Sequence, residues 1–122
     1  MAVYSIGVDL IEIERIENLL KKYGDKFLKR IFTDVEIEYC SKKQNKGSFA
    51  ARFAAKEAVF KATGLGLGKG MTWKDVEVVN DSLGKPEVNL YGKTAELLAQ
   101  KTIHLSLSHS KDSSIAMVVV DD

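Results

Sequence analysis

The sequence predicts an α+β fold, in which a small antiparallel sheet packs against helices. Amphipathic, helix-type periodicity occupies much of residues 11–64, and short alternating segments separated by turn residues follow from residue 73 onward. No internal repeat, low-complexity tract or interdomain linker interrupts the 122 residues. We therefore expect one domain, spanning residues 1–122, with its helices packed on one sheet.

Composition limits the classes of function. The net charge of +1 argues against a general polyanion binder, so we expect no nucleic-acid partner. The longest apolar run, residues 115–120, is far too short to cross a bilayer, which argues against a membrane protein. The N-terminus lacks a basic region and a cleavage site, and the single cysteine, Cys40, cannot form an internal disulfide. A reducing cytoplasm is the expected location, with Cys40 as a packing residue.

The chain opens with a predicted strand at residues 2–10, followed by an amphipathic helix that Gly24 ends. Gly7 would permit another backbone to approach the strand closely. Asp9 is expected at the strand's end, where two interpretations are open. It caps the following helix, or its carboxylate is a ligand directed into a cleft; for an isolated aspartate the cap is favoured.

Two shorter helices are predicted next. The first covers residues 25–31, and the second follows Thr33, which has Glu36 three residues later in the pattern of a capping box. Residues 44–47 form a polar break before the central helix.

The central helix is predicted over residues 47–64, with Ser48 as its N-cap and Gly64 at its C-cap. One stripe of this helix carries three phenylalanines, and an adjoining stripe of small residues would let a second backbone come close. The members of these stripes are Phe49, Phe53 and Phe60, and Ala50, Ala54 and Ala58.

Glu57 and Lys61 are expected at the boundary between the two stripes. They form either a solvated i, i+4 pair worth a few tenths of a kcal/mol or part of a functional site. The glycine-rich segment after the helix, with Gly64, Gly66 and Gly68, is likewise open to two interpretations. It is a flexible connector or a weak phosphate-binding signal, because its spacing matches neither a Walker loop nor a dinucleotide fingerprint.

The second half of the chain predicts two strand pairs and a helix. Residues 73–81 and 82–90 form a hairpin with a turn at residues 82–85, and Pro86 suits an edge or a strand start. A short helix over residues 93–101 directs Ala95, Leu98 and Ala99 inward. In the final hairpin, joined near Lys111, the alternation puts His109 on the leucine face, at or just past the end of its strand.

Three segments together, GVDLIEIERI, FAAKEAVFKATGLGLGKG and LSLSHSKDSSIAMVVV, closely resemble the holo-acyl-carrier-protein synthases, the short bacterial branch of the 4'-phosphopantetheinyl transferases. The resemblance covers essentially the whole chain. It implies transfer of the phosphopantetheine arm of coenzyme A to a serine of apo acyl carrier protein, with release of adenosine 3',5'-bisphosphate.

The resemblance also assigns expected roles to individual residues. Asp9 and Glu57 match the family's magnesium-binding pair, and two carboxylates plus a pyrophosphate suit a hard cation that keeps several waters. Lys61 matches the lysine near the phosphates, so Asp9, Glu57 and Lys61 form the expected catalytic group. Arg52 and His109 resemble the positions that approach the 3'-phosphate and adenosine end, with Gly64, Gly66 and Gly68 beside the adenine.

Oligomeric state and carrier docking follow from the same resemblance. Family members are typically trimers with each active site between two subunits, so a homotrimer is expected. The first helix of the family docks the carrier with several arginines, whereas this chain offers Arg15, Lys21 and Lys22. Two other classes of function are compatible with parts of the sequence: a non-catalytic coenzyme A or nucleotide-binding module, and a structural oligomerisation domain. Retention of both carboxylates argues against the first, because a simple polyanion binder gains by losing them.

Overall fold

A computed structural model describes residues 2–122 of the chain. In chain order its elements are β1 (Val3–Glu12), α1 (Ile13–Tyr23), α2 (Asp25–Ile31), α3 (Asp34–Ser41), α4 (Gly47–Ala62), a 3₁₀ turn (Trp73–Asp75), β2 (Val76–Asn80), β3 (Pro86–Leu90), α5 (Gly92–Leu97), β4 (Thr102–His109) and β5 (Ser113–Asp121). The α+β class is confirmed. Within residues 2–122, no helix is both long enough and apolar enough to cross a membrane.

The strands divide between two antiparallel sheets. The larger sheet has the order β1-β5-β4, and β2 pairs with β3 in a separate hairpin. Pro86 begins β3, as the sequence predicts for a proline. The inward face of the larger sheet carries Ala116, Val118 and Val120, all fully buried. The helix α4 packs along this face, so it forms the axis of the core.

The strand β1 meets α4 in backbone-to-backbone contact. A side-chain carbon added at Gly7 would lie 2.0 Å from the carbonyl oxygen of Ala58. Ser5 reinforces the contact, since its hydroxyl donates a 2.7 Å hydrogen bond to the Ala62 carbonyl. The predicted small-residue stripe of the helix and the predicted close approach at Gly7 are therefore two sides of one interface.

The phenylalanine stripe of α4 packs on its other side. Phe53 stacks on Trp73 with ring centroids 4.9 Å apart, and Phe49 meets Phe32 edge to face at 5.2 Å. The helix thus buries apolar residues around most of its circumference.

Two predicted helix caps are wrong. Asp9 is not a cap, because β1 pairs with β5 as far as Glu12, which is the N-cap residue of α1. Ser48 lies inside α4, whose N-cap residue is Lys46. The helix begins at residue 47 as predicted, and there the side chain of Asn45 accepts a 2.8 Å hydrogen bond from the Gly47 amide in place of a cap by Ser48.

Other boundaries were predicted with mixed success. The capping box of Thr33 and Glu36 is confirmed, and Gly64 adopts the positive φ of 83° expected after a helix. Residues 73–75 form a 3₁₀ turn in place of the predicted strand start, because the side chain of Asp75 accepts hydrogen bonds from Thr72. The helix α5 starts and ends earlier than predicted, and Ala99 is exposed.

The outer face of the larger sheet is apolar and exposed. Cross-strand partners Val8 and Met117 are 53% and 51% exposed, and Leu10, opposite Ile115, is 65% exposed. An apolar sheet face of this kind in a folded chain marks an interaction surface.

Candidate active site

Three charged residues predicted from the sequence converge between β1 and the C-terminal half of α4. The ammonium group of Lys61 lies 2.9 Å from Asp9 Oδ1 and 3.0 Å from the carbonyl oxygen of Val8. The Asp9 side chain is mostly buried, whereas that of Lys61 is half exposed. Lys61 therefore pairs with Asp9, and the i, i+4 pair with Glu57 that the sequence left open does not form within residues 2–122.

Glu57 lies half-buried on the same side of α4, close enough to Asp9 for their charges to interact. Burial raises the pKa of Glu57, and the neighbouring carboxylate of Asp9 raises it further. The positive charges of Arg15 and Lys61 lower the pKa of Glu57. Two carboxylates held near each other repel, and a cation placed between them relieves that repulsion.

The donor chemistry fits a hard divalent cation only if a ligand completes the site. Among residues 2–122, no group of three or more histidine, cysteine, aspartate or glutamate side chains is arranged to hold a metal. Mg²⁺, however, commonly takes one or two carboxylates from a protein and fills its remaining positions with waters and substrate phosphates. Asp9 and Glu57 meet that requirement.

A groove of about 1390 Å³ lies at the N-terminal end of α4 and contains two other predicted residues, Arg52 and His109. The guanidinium of Arg52 is 4.3 Å from the ring centroid of Tyr39, and its Nη2 donates a 2.6 Å hydrogen bond to Asn80. Arg52 is only 4% exposed, and its buried Nε has no hydrogen-bond partner within residues 2–122. A buried guanidinium donor without a partner suits an anionic ligand. Lys43 and Lys111 line the same groove. Acidic residues line it too, so it carries charges of both signs: Glu12, Glu14, Glu17 and Asp112.

The residues predicted to bind coenzyme A lie in two separate places within a single chain. Arg52 and Gly64 are twelve positions apart, which at 1.5 Å per residue separates them by about 18 Å along α4. His109 lies with Arg52 at one end, at the exposed end of β4. Gly64, Gly66 and Gly68 lie at the other end, with positive φ angles and no atom within 4 Å of an added side-chain carbon. The space beside these glycines is open to a ligand, although the amides of Gly64 and Gly66 already donate to the carbonyl oxygens of Lys61 and Phe60.

The predicted docking residues all lie on α1. Lys21 and Lys22 are exposed in its last turn. Arg15 is also exposed, but its guanidinium carbon lies 5.8 Å from the Phe53 ring centroid, and its charge acts on Glu57. Arg15 therefore adjoins both the basic face and the acidic site.

Sequence reasoning missed a buried ion pair between Lys56 and Glu36. Their charged atoms are 2.7 Å apart, and both side chains are fully buried. A signal was present, because Lys56 follows Phe49 and Phe53 at helical spacing and so falls on the phenylalanine stripe. A lysine on a buried stripe requires an anionic or hydrogen-bonding partner.

Comparison with known proteins gives a consistent result. The profile of the 4'-phosphopantetheinyl transferase superfamily matches residues 5–118. A holo-[acyl-carrier-protein] synthase of Geobacter sp. is 50% identical over 123 residues, covering 98% of this chain and of the relative. That of Syntrophus aciditrophicus is 46% identical, covering 98% of this chain and 96% of the relative.

Solved structures agree. A holo-(acyl-carrier-protein) synthase of Bacillus anthracis, in complex with CoA (3',5'-ADP), superposes with a TM-score of 0.84 at 39% identity, covering 98% of this chain and 97% of that one. The Helicobacter pylori protein, in complex with coenzyme A, gives a TM-score of 0.86 at 34% identity, with coverages of 95% and 99%.

Proposed function

The chain belongs to the 4'-phosphopantetheinyl transferase superfamily, in its holo-acyl-carrier-protein synthase branch, and we propose that it transfers the 4'-phosphopantetheine arm of coenzyme A to a serine of apo acyl carrier protein. The products are holo carrier protein and adenosine 3',5'-bisphosphate. The observation that supports this most directly is the convergence of Asp9, Glu57 and Lys61 in a chain that matches named synthases over 98% of its length.

The reaction replaces a phosphoanhydride bond of coenzyme A by a phosphate ester bond to serine. The serine oxygen forms a bond to the β-phosphorus of coenzyme A, and the bond from that phosphorus to the bridging oxygen breaks. The bridging oxygen leaves with the electron pair as part of adenosine 3',5'-bisphosphate, and the serine proton passes to solvent water. Lys61 is half exposed beside Asp9, so its ammonium group can contact the phosphate oxygens and stabilise their negative charge as the bridging bond breaks.

Asp9 and Glu57 would hold a Mg²⁺ ion, which supplies charge neutralisation at the pyrophosphate. The support for this assignment is that the two residues lie on different elements, β1 and α4, and that the charge of Asp9 raises the pKa of Glu57. Carboxylates without a cation at this place would repel a substrate that is itself a polyanion.

Arg52 and His109 are proposed to bind the 3'-phosphate end of coenzyme A. The support is the buried Nε of Arg52, which has no hydrogen-bond partner within residues 2–122, and the position of Arg52 and His109 in one groove with Lys43 and Lys111. Since the glycine loop lies about 18 Å away along α4, one chain does not gather the whole set. We propose that the protein is a homotrimer whose active site takes Asp9 and Glu57 from one subunit and part of the coenzyme A cleft from its neighbour.

A trimer would also bury the exposed apolar outer face of the larger sheet. Burying side chains such as Ile6 and Leu10, which are 68% and 65% exposed, would stabilise the assembly by about 25 cal/mol for each Å² of apolar surface removed from water. Location in the cytoplasm remains a prediction, supported by the unpaired thiol of Cys40.

The test is mass spectrometry of a purified apo carrier protein incubated with this protein, coenzyme A and Mg²⁺. The carrier should gain the mass of phosphopantetheine, and a carrier with its acceptor serine replaced by alanine should not. Binding of coenzyme A without any mass gain, for several carrier proteins, would instead identify a non-catalytic coenzyme A-binding module.

A further inference from the structure

A buried polar cluster on α4 takes no part in the proposed reaction, although it adjoins Glu57 in sequence. Lys56 pairs with Glu36 at 2.7 Å and also donates to the carbonyl oxygens of Trp73, at 3.2 Å, and Val76. These contacts occupy the three donors of the ammonium group. The other carboxylate oxygen of Glu36 accepts a 2.8 Å hydrogen bond from the Val78 amide. The cluster therefore ties α4 to α3 and to β2.

Apart from the contacts of Ala58 with Gly7 and of Ala62 with Ser5, the buried surface of α4 specifies its rotation only weakly. Its buried residues are mostly alanine and phenylalanine and are distributed around the helix. Apolar contacts of this type are non-directional, so several rotational settings would bury similar area. A buried polar cluster is directional, because a small rotation leaves a charge unpaired in the core.

Glu57 lies between two fixed points on the helix. At about 100° per residue, Lys56 and Ala58 each stand about 100° from Glu57, on opposite sides. Ala58 is fixed by the backbone of β1 at Gly7, and Lys56 by the polar cluster. A helix held at both places can direct Glu57 toward Asp9 in one way only.

We propose that Lys56 is a positioning residue for the transfer reaction: its ion pair with Glu36 sets the rotation of α4 and thereby places Glu57 and Lys61 against Asp9. This inference rests on the proposed function. Lys56 acts through position, since the charges that influence Glu57 are those of Asp9, Arg15 and Lys61.

The main test is the double variant Glu36→Leu with Lys56→Met. Apolar side chains of similar volume often preserve or raise stability when they replace a buried ion pair, so the melting temperature should be retained. The kcat should fall by about 10- to 100-fold, as expected when catalytic groups shift by about 1 Å. The Mg²⁺ concentration for half-maximal rate should rise, while the KM for carrier protein should stay unchanged.

A second readout does not need turnover. Mn²⁺ is titrated into each variant with coenzyme A but no carrier, and free Mn²⁺ is counted by electron paramagnetic resonance. The double variant should bind Mn²⁺ more weakly than the wild type. Leu98→Ala is the control, because it opens a cavity in the core outside α4; it should lower the melting temperature and leave kcat and metal binding unchanged.

Wild-type kcat and Mn²⁺ affinity in the folded double variant would overturn the inference. If the double variant does not fold, Glu36→Gln is measured in the same way, since it keeps the side-chain shape and removes the charge. Wild-type values in Glu36→Gln would then overturn it. A wild-type protein without transfer activity would refute the proposed function instead, and the Mn²⁺ readout would still decide whether Lys56 positions Glu57.

Discussion

Lys61 and Asp9 are joined by a 2.9 Å ion pair across 52 positions of sequence, and this contact makes the two acidic residues of the site unequal. Asp9 has a cationic partner in direct contact. Glu57 is half-buried and its pKa is raised, first by burial and then by Asp9. The charge of Glu57 is therefore the less compensated of the two, and its removal is the cleaner test of the cation site.

Glu57→Gln should lower kcat by about 100-fold or more, the loss typical when one electrostatic stabiliser is removed. The melting temperature should change little, because the substitution keeps the shape of a half-buried side chain. Steady-state kinetics and thermal unfolding check both expectations. The control is Glu38→Gln on α3, where the side chain is 76% exposed. Full activity of Glu57→Gln in the presence of a chelator would contradict the metal assignment.

Charge reversal at Lys21 and Lys22 should raise the KM for carrier protein and leave that for coenzyme A unchanged, because the basic face steers an acidic partner. The difference from the wild type should shrink as salt screens the attraction. Arg15→Glu should additionally lower kcat, since Arg15 acts on Glu57. Lys29→Glu, exposed on α2, is the matched control. Normal carrier binding by the Lys21, Lys22 variant at low salt would mean that another surface docks the carrier.

Asn80→Ala should weaken recognition of the 3'-phosphate, because it removes the 2.6 Å hydrogen bond that holds Arg52 at the groove. The KM for coenzyme A should rise by about 10- to 150-fold, which corresponds to one hydrogen bond to a charged group. The KM for 3'-dephospho-coenzyme A should not change. Asn89→Ala, on the neighbouring strand β3, serves as control. Equal effects on both substrates would show that Asn80 acts on the fold in general.

Subunits with complementary defects should restore activity when mixed, if the site is shared. Asp9→Ala is combined with the double variant Arg52→Ala, His109→Ala under conditions that allow subunit exchange. Some mixed interfaces then contain both intact halves, so activity should exceed that of either variant alone. An active monomer in light scattering at assay concentration would refute the shared site. Proven exchange without recovery would assign both groups of residues to one subunit.

The thiol of Cys40 should be unreactive in the folded protein. Cys40 is 1% exposed, and burial raises its pKa from 9.0 to about 11. A disulfide reagent at pH 8 should detect one thiol after denaturation and none before. Because the folded state keeps the proton to higher pH than the unfolded state, the free energy of unfolding should fall as pH rises from 9.0 toward about 11. Rapid labelling of the native protein would contradict this burial.

The sequence was informative where a pattern is local. Helical spacing predicted the buried phenylalanines of α4, and the capping box at Thr33 was readable because its two members are three residues apart. The pair Lys56 and Glu36 was not readable in the same way, since only the packing of α3 against α4 brings them together. The sequence predicts the end of β1 at Asp9, whereas the strand continues to Glu12. The difference arises because the length of β1 is set by pairing with β5, which the sequence of β1 alone does not show.

The contact between Gly7 and Ala58 also bears on how much sequence variation the protein tolerates. Side chains at Ile6 and Val8 point to the outer face, whereas any side chain at position 7 would penetrate the backbone of α4. Alanine, normally the mildest replacement for glycine, is excluded as firmly as tryptophan, because the overlap begins at the first carbon. In a saturation library, position 7 should therefore accept no residue other than glycine. Among the positions of β1, the strand that carries Asp9, it should be the one most restricted in side-chain size.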